Sequence, residues 1–265
     1  MRTRFLYLIS ALLLVAAGCA RHPLEMPLDV TFRVGLEGME ISKAISDGSA
    51  ATQLLVGVMD EEGNSLQATT VSRSAGTDFQ FSLSLVEGMQ YKVLFLAQSP
   101  GRYVSGGFTS AEQLEAVPLT GDGTVNSEVD DAYAGVYEVS ADGSSTVSVT
   151  LSRICAQLNV GTTSSVSASG MTLKLTGIPV SYNVLLGTAS GLQDWNAAGE
   201  SLTGVVLTEG GVDYHWLGYV YVPVGAREVV SSAMLTITRA ETPEVSEVMS
   251  VPLKANYRTN LIGEI

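Results

Sequence analysis

The sequence predicts an all-β chain, two β-sandwiches in tandem behind an N-terminal export signal. Three observations predict it. Of 265 residues, 46% are hydrophobic and 15% charged, enough to bury a sizeable core. Gly, Ser, Thr and Val are abundant, and runs of Ala, Leu, Glu and Lys at helical spacing are missing, which favours strands and turns. Short stretches of alternating polarity recur about every 8–12 residues between turn-forming residues, the pattern of sandwiches.

The first element is an address. Arg2 and Arg4 give a positive start, and Phe5 to Val15 an apolar run. That run suits a signal peptide and falls short of the roughly 20 residues of a spanning helix. Ala16, Ala17 and Gly18 then precede Cys19. Small residues directly before a cysteine resemble a bacterial lipobox, with Ala16 standing where an aliphatic residue such as leucine is more usual. Residues 1–18 are then a lipoprotein signal peptide, and Cys19 carries the acyl chains. Each buried CH2 of those chains adds about 0.8 kcal/mol of membrane anchoring. The competing view is an ordinary signal peptide with an incidental cysteine. Loss of Arg2 and Arg4 lowers the formal charge from −13 to −15. Residues 19–27, with two prolines and no periodicity, read as a tether.

The strands follow in order. In LDVTFRVGL, 28–36, Leu28, Val30, Phe32 and Val34 share one face, and Asp29, Thr31 and Arg33 the other. That is a half-buried strand. Further strands are expected at 54–59, 78–85 and 91–98, with turns at DEEGN (60–64) and EGMQ (87–90). Residues 99–132 are irregular and predict a long surface excursion with one helical turn near SAEQL, 110–114. Residues 133–140 and 146–152 predict a hairpin about ADGSS. A second series starts at 153–161 and continues through 171–179, 201–208, 214–223, 233–240, 247–254 and 256–263. YNVLLGT (182–188) and GLQDWN (191–196) read as loop or short helix. The two series divide near residue 152, giving sandwiches at 28–152 and 153–265. There is no clear internal repeat.

Candidate chemistry is sparse. The net charge of −13, with scattered Lys and Arg, excludes the clustered cations that nucleic acid requires. Cys19 and Cys155 make no disulfide framework or metal spacing. Cys155, amid apolar residues, is expected to be a small core hydrophobe rather than a reactive thiol. His22 lies in the tether. Asp213 and His215 would share a strand face, but no nucleophile, GxSxG elbow or HExxH accompanies them, so a solvated pair is preferred to a catalytic dyad. The loop 121–131 gathers Asp122, Glu128, Asp130 and Asp131. Oxygen ligands suit calcium, but the spacing fits no EF-hand, and a solvated acidic loop is expected. Trp216, Tyr219 and Tyr221 invite a sugar platform, while alternation of Tyr214 and Trp216 with His215 favours a core position. No cofactor is expected.

RICAQLNVGTT (153–163), SGMTLKLTGIPVSYNVLLGTASG (169–191) and VPLKANYRTNLIGEI (251–265) together resemble the fimbrillin-like outer-membrane lipoproteins of Gram-negative anaerobes. ISDGSAATQLLVGVMDEEGN, YKVLFLAQ and DDAYAGVYEV fall in the order that family uses. The resemblance implies two transthyretin-like or Ig-like sandwich domains, a lipid anchor, exposure at the surface, and a pilin-like subunit or accessory role in adhesion. It implies no enzyme activity. The partners implied are other fimbrial subunits, host or bacterial surface ligands, and the membrane through the lipid. In assembling members a protease cuts beyond the first strand, and the vacated groove takes a donor strand from another subunit. Lys43 stands where the family often has Arg, so a trypsin-like rather than an Arg-specific protease is expected there. Arg33, inside the first strand, is the other candidate. Relatives usually continue past NYRTNLIG into a donor strand, whereas Glu264 and Ile265 close this sequence, as expected of an anchor, a terminal subunit, a stand-alone lipoprotein or a truncated sequence. The alternative is a surface glycan-binding lipoprotein of a nutrient-uptake system. An acidic residue soon after the cysteine is scarce here, leaving the membrane face open.

Overall fold

The structure is a computed structural model and describes residues 27–38, 48–119, 123–143, 145–162, 172–198, 205–209, 212–225, 233–239 and 245–263. Cys19, His22, Lys43 and Asp122 lie outside the described residues, as do the side chains of Asp213, Tyr214, His215 and Trp216. The strands are β1 (Pro27–Leu36), β2 (Gln53–Met59), β3 (Ser65–Ser72), β4 (Phe79–Val86), β5 (Gln90–Gln98), β6 (Val117–Pro118), β7 (Gly123–Thr124), β8 (Tyr133–Ser140) and β9 (Thr146–Arg153). They continue as β10 (Cys155–Thr162), β11 (Thr172–Ile178), β12 (Ser181–Asn183), β13 (Thr188–Ser190), β14 (Gln193–Ala198) and β15 (Val205–Glu209). The last four are β16 (Val212–Pro223), β17 (Met234–Arg239), β18 (Val245–Ser250) and β19 (Arg258–Gly263).

The first seven strands to pair run in the order β3-β2-β5-β8-β9-β1-β4. The array turns back on itself at β9. Residues 146–151 of β9 pair with β1, while Ser152 and Arg153 pair with β8. β8 and β9 therefore depart from the expected hairpin: they meet at the end far from their turn and then diverge into opposite layers. A strand that changes sheets in this way closes a sandwich corner. Between the layers lie Val30, Phe32, Val34, Phe79 and Leu83 from one side, and Leu54, Val56, Val93 and Phe95 from the other. The alternation read from the sequence places Val30, Phe32, Val34, Phe79 and Leu83 inward, whereas β2 and β5 are buried on both faces and read as continuous apolar runs.

The second part of the chain forms two further sheets, β15-β16-β10-β19 and β18-β17-β11-β14-β7. Leu158, Val160, Val220 and Val222 of one face Leu173, Leu175, Trp195, Leu235 and Ile237 of the other in a second core. The all-β class and sandwich architecture hold. Three further details differ from expectation. YNVLLGT and GLQDWN supply the strands β12 to β14, with Trp195 turned into the core. Their short, polar alternation hid them. β3, SLQATTVS, gave no apolar signal because it is an outer strand held by backbone pairing to β2.

The third difference is the largest. The described residues of 99–132 are not a surface excursion. Tyr103, Ala111, Leu114, Val117, Leu119 and Ala132 are buried in a third cluster shared with Ile154, Cys155, Tyr182, Val184 and Tyr221. The expected helical turn exists as a 3-10 turn, Ala111–Leu114, with Ser110 and Gln113 forming a reciprocal capping box. Beyond it the segment crosses to the second part of the chain, where β6 pairs with β12 and β7 with β14. Gly123 lies so close to Trp195 that any Cβ there would overlap the indole ring. Irregular backbone hides a segment from periodicity analysis even when it is buried.

Candidate functional site: the β1 slot and the buried junction

β1 is the element to which the fimbrillin-like resemblance attaches a function. It runs antiparallel to β4, from Pro27 opposite Val86 to Val34 opposite Phe79. On its other edge it runs parallel to β9, from Thr31 opposite Thr146 to Leu36 opposite Leu151. It thus fills a slot between two strands. Val30, Phe32 and Val34 are fully buried. Phe32 stacks on Phe81 with ring centroids 5.4 Å apart and meets Phe95 at 5.9 Å. The outer face is polar. Arg33 pairs with Asp78 at 2.7 Å, Thr31 bonds Ser82, and Ser84 donates to Asp29. These are solvent-facing contacts, each worth well under about 1 kcal/mol. The apolar face holds β1 in place.

Arg33 therefore sits mid-strand with a neighbour on both edges. Lys43, the other candidate cleavage position, lies outside the described residues, as does Cys19. Both flanks of residues 39–47 are tied down. The Glu37 amide donates to Leu151, and the Gly38 carbonyl accepts Nδ2 of Asn256 at 3.1 Å. On the far side Arg73 donates to the carbonyls of Gly48, Ala51 and Thr77 while its guanidinium lies over Phe79. Gly48 has φ +77 and its Cβ would lie 2.8 Å from the Tyr133 hydroxyl, so a side chain there meets both strain and collision.

The acidic loop ends in this neighbourhood, and the expectation of a solvated cluster is overturned. Asp130 and Asp131 are completely buried. Asp130 accepts from Nε of Arg102 and from the Thr124 amide at 2.7 Å. Asp131 pairs with Nε of Arg153 at 3.0 Å and accepts the Tyr133 hydroxyl at 3.0 Å. Arg153 is buried as well, stacked over Tyr133 and Tyr221. Each carboxylate faces its own cation, which is how buried charge is tolerated. Glu128 instead accepts Ser49 Oγ at 3.2 Å. No cluster of three or more metal-ligating side chains occurs among the described residues.

Cys155 is buried beside this network. Its thiol donates to the Asp130 carbonyl at 3.2 Å. Burial, then the charge of Asp131, pushes the thiol far above its ordinary range, so it stays protonated and unreactive. Burial raises the Tyr133 and Tyr103 phenols likewise, with further contributions from Asp131 and the Cys155 thiol respectively. Burial works against the Arg153 charge, but Asp131 and the Tyr133 phenol carry its pKa above the usual arginine value. From Arg153 the polar line continues into the second part: Tyr221 reaches Gln157, Gln157 donates to Asn159, and Asn159 donates to Asn260 on β19. Of the platform candidates, two have described side chains, and neither is fully exposed. Tyr221 is buried and Tyr219 half-buried, edge to face at 6.1 Å. Asp213 and His215 lie on β16, with His215 opposite Thr162 on one side and Val206 on the other.

Sequence reasoning missed Arg153, Arg102, Arg73 and Asn256. One signal was available for Arg153: in TVSVTLSR it has the parity of the inward Leu151. The others act from turns or irregular backbone, which no periodicity marks.

Solved structures share this fold. A candidate adhesin from Bacteroides ovatus superposes with a TM-score of 0.56 at 16% identity, covering 89% of this chain and 87% of that one. The fimbrial anchor protein Mfa2 from Porphyromonas gingivalis gives 0.52 at 16%, covering 88% and 90%. A candidate polysaccharide-binding protein from Bacteroides thetaiotaomicron gives 0.52 at 13%, covering 80% and 76%. At such identities the likeness is one of fold, and it is the fold that the fimbrillin-like resemblance implies. No curated protein matches the chain. A family model described as a family of unknown function, DUF6562, matches residues 25–265, and the chain belongs to that family.

Proposed function

We propose that this protein is a lipid-anchored fimbrial subunit, or an accessory or anchor protein of a fimbria, serving adhesion at the cell surface. The observation that carries the reading is the place of β1. It is a complete strand, buried on one face, held between β4 and β9, and located at the start of the described chain. Its loss would open an apolar slot with unpaired backbone on both walls, the kind of groove that β-augmentation fills. Adhesin and fimbrial-anchor descriptions among the structures of like fold support the same reading.

In this reading Cys19 bears the lipid, residues 19–27 form the tether, and sandwich units at 28–152 and 153–265 follow. Trimming, where it occurs, falls after Lys43 rather than Arg33. Proteases bind an extended and unpaired segment, and Arg33 is paired on both edges. The partners are other fimbrial subunits, a host or bacterial surface ligand, and the outer membrane through the lipid. The protein is not an enzyme and takes no cofactor.

The test is to shear intact cells and run the released material unheated on an SDS gel probed for this protein. Donor-strand polymers resist SDS until heated, so a ladder supports a filament subunit. A single lipidated band retained by the cells supports the anchor. A single band lacking lipid contradicts both.

A second reading, a surface glycan-binding lipoprotein, draws on the polysaccharide-binding description of one structure of like fold. Calorimetric titration with oligosaccharides separates the two, because that reading requires saturable heat and the fimbrial one does not.

A further inference from the structure

Among the described residues β8 has an unguarded edge. On one side it pairs with β5 along its whole length, from Gln90 opposite Ser140 to Ala97 opposite Tyr133. On the other side it pairs with β9 at Tyr133 and Ala134 and then loses it, since β9 leaves for the opposite layer. From Gly135 to Ser140 that side carries no strand among the described residues. An edge strand of this length is a template for another chain unless charge, proline, a bulge or a cover blocks it. β8 has one charge, Glu138, and neither proline nor a register shift.

Apolar surface collects along the same line. Among the described residues nine large hydrophobic side chains are conspicuously exposed; two of them, Val136 and Leu186, meet here, while Tyr137 lies on the opposite face of β8 toward Phe32. Ala134 and Val136 share a face of β8 with Glu138, by strand alternation. That face opens where β8 and β9 part, onto a cavity of about 370 Å³ lined by Ala134, Val136, Ile154, Tyr182, Val184 and Leu186. The other outer strand of this layer, β3, exposes mainly Ser, Gln and Thr, with Leu66 as its single exposed large apolar residue.

We propose that the Gly135–Ser140 edge is a second strand-addition site, separate from the β1 slot, for an extended segment of a different protein. It does not depend on the fimbrial reading. The incoming strand runs antiparallel to β8, so its C-terminal end points into the fork. A residue paired with Val136 shares its face, and an apolar side chain there enters the cavity. A residue paired with Glu138 is basic, completing a row with Lys92, which lies opposite Glu138 on β5. Charge favours a different protein over a second copy: the chain carries −13 and repels itself, and β8 pairing with itself would bring a second acid to the edge.

The experiment is residue-resolved hydrogen exchange on the full chain with a synthetic peptide of alternating valine and threonine, one valine replaced by lysine so that it pairs with Glu138 two residues from the valine that pairs with Val136. The free-edge amides between Gly135 and Ser140 should slow at least tenfold. Val136→Lys, at an exposed position that leaves the core intact, should abolish the slowing, while Leu66→Lys on β3 should preserve it. The proposal is overturned by an absence of slowing at millimolar peptide, or by slowing that Val136→Lys leaves unchanged. Slowing confined to β4 and β9 would assign the peptide to the β1 slot and overturn it too. Protection of β8 that grows with protein concentration, without peptide, would make a second copy the occupant and reject the different protein.

Discussion

β1 and β19 each lie parallel to one of two consecutive strands, β1 to β9 and β19 to β10. Their other edges differ. β1 has β4 beside it and buries three apolar side chains completely. β19 is the last strand of its sheet, and its residues are partly buried or exposed. Removing β19 would shorten a sheet by one outer strand. Removing β1 would leave two strands facing each other across an empty slot. A strand whose exchange rebuilds a sheet needs the second arrangement, because the bare edge at β19 offers half the hydrogen bonds and little apolar surface.

The sharpest way to break the comparison is to delete each strand in turn. Burial of Val30, Phe32 and Val34 contributes about 5–8 kcal/mol in gross terms, against a total stability of roughly 5–15 kcal/mol for a domain. Deleting residues 27–36 should abolish the cooperative unfolding of the first sandwich in calorimetry. Deleting 258–263 should lower the melting temperature and preserve the transition. Equal effects would end the distinction.

Single side chains sharpen it. Phe32→Ala should cost about 4 kcal/mol in denaturant unfolding. Leu261→Ala on β19, a residue only partly buried, should cost less than half of that. Next in size is the junction that lies between the two strands. Asp131→Asn leaves Arg153 buried without its counter-charge and should cost about 3 kcal/mol. Pairing that change with Arg153→Met should recover most of the loss, whereas two independent contacts would add.

A smaller effect probes how the exit of β1 is held. Asn256 has φ +63 and donates to the Gly38 carbonyl. Asn256→Gly keeps the backbone conformation while removing that hydrogen bond. About 1 kcal/mol should be lost, with faster exchange of the Glu37 amide, which bonds Leu151 at the end of β1. Exchange unchanged at Glu37 would mean that the second part of the chain does not steady β1.

The smallest effect is one of pH. Burial holds the Cys155 thiol far above its ordinary value of 9.0 in the folded chain. As pH rises past 9 the unfolded chain releases this proton and the folded chain keeps it, so stability falls with pH. The stability is complete below pH 9 and is lost toward the folded pKa. Cys155→Ala should flatten part of this alkaline slope in melts between pH 8 and 11, leaving the share due to Tyr103 and Tyr133.

How much of this was legible depends on the kind of physics involved. Val30, Phe32 and Val34 announce β1 because alternation is a local signal, and Arg33 announces its outer face. Leu54 and Val93 are legible as parts of continuous apolar runs instead, since β2 and β5 are buried on both faces. Asp130 and Asp131 misled because two adjacent acids in a glycine-containing loop look solvated. Their partners, Arg102 and Arg153, lie 28 and 22 residues away in sequence, and nothing local couples them. Asn256 lies 218 residues from Gly38. The strand that fills the slot was legible; what clamps its exit was not, because the clamp comes from the far end of the chain.

The most direct test is to ask whether β1 can leave and be replaced. A specific protease site substituted into residues 40–45 of the full chain allows one cut between β1 and β2, after which a labelled peptide of residues 27–38 is added in excess. The account predicts stoichiometric uptake of the peptide, with amide protection restored along β4 and β9 and the second sandwich unchanged. A nicked protein that takes up no peptide, or one whose first sandwich stays equally protected after β1 has gone, would contradict it.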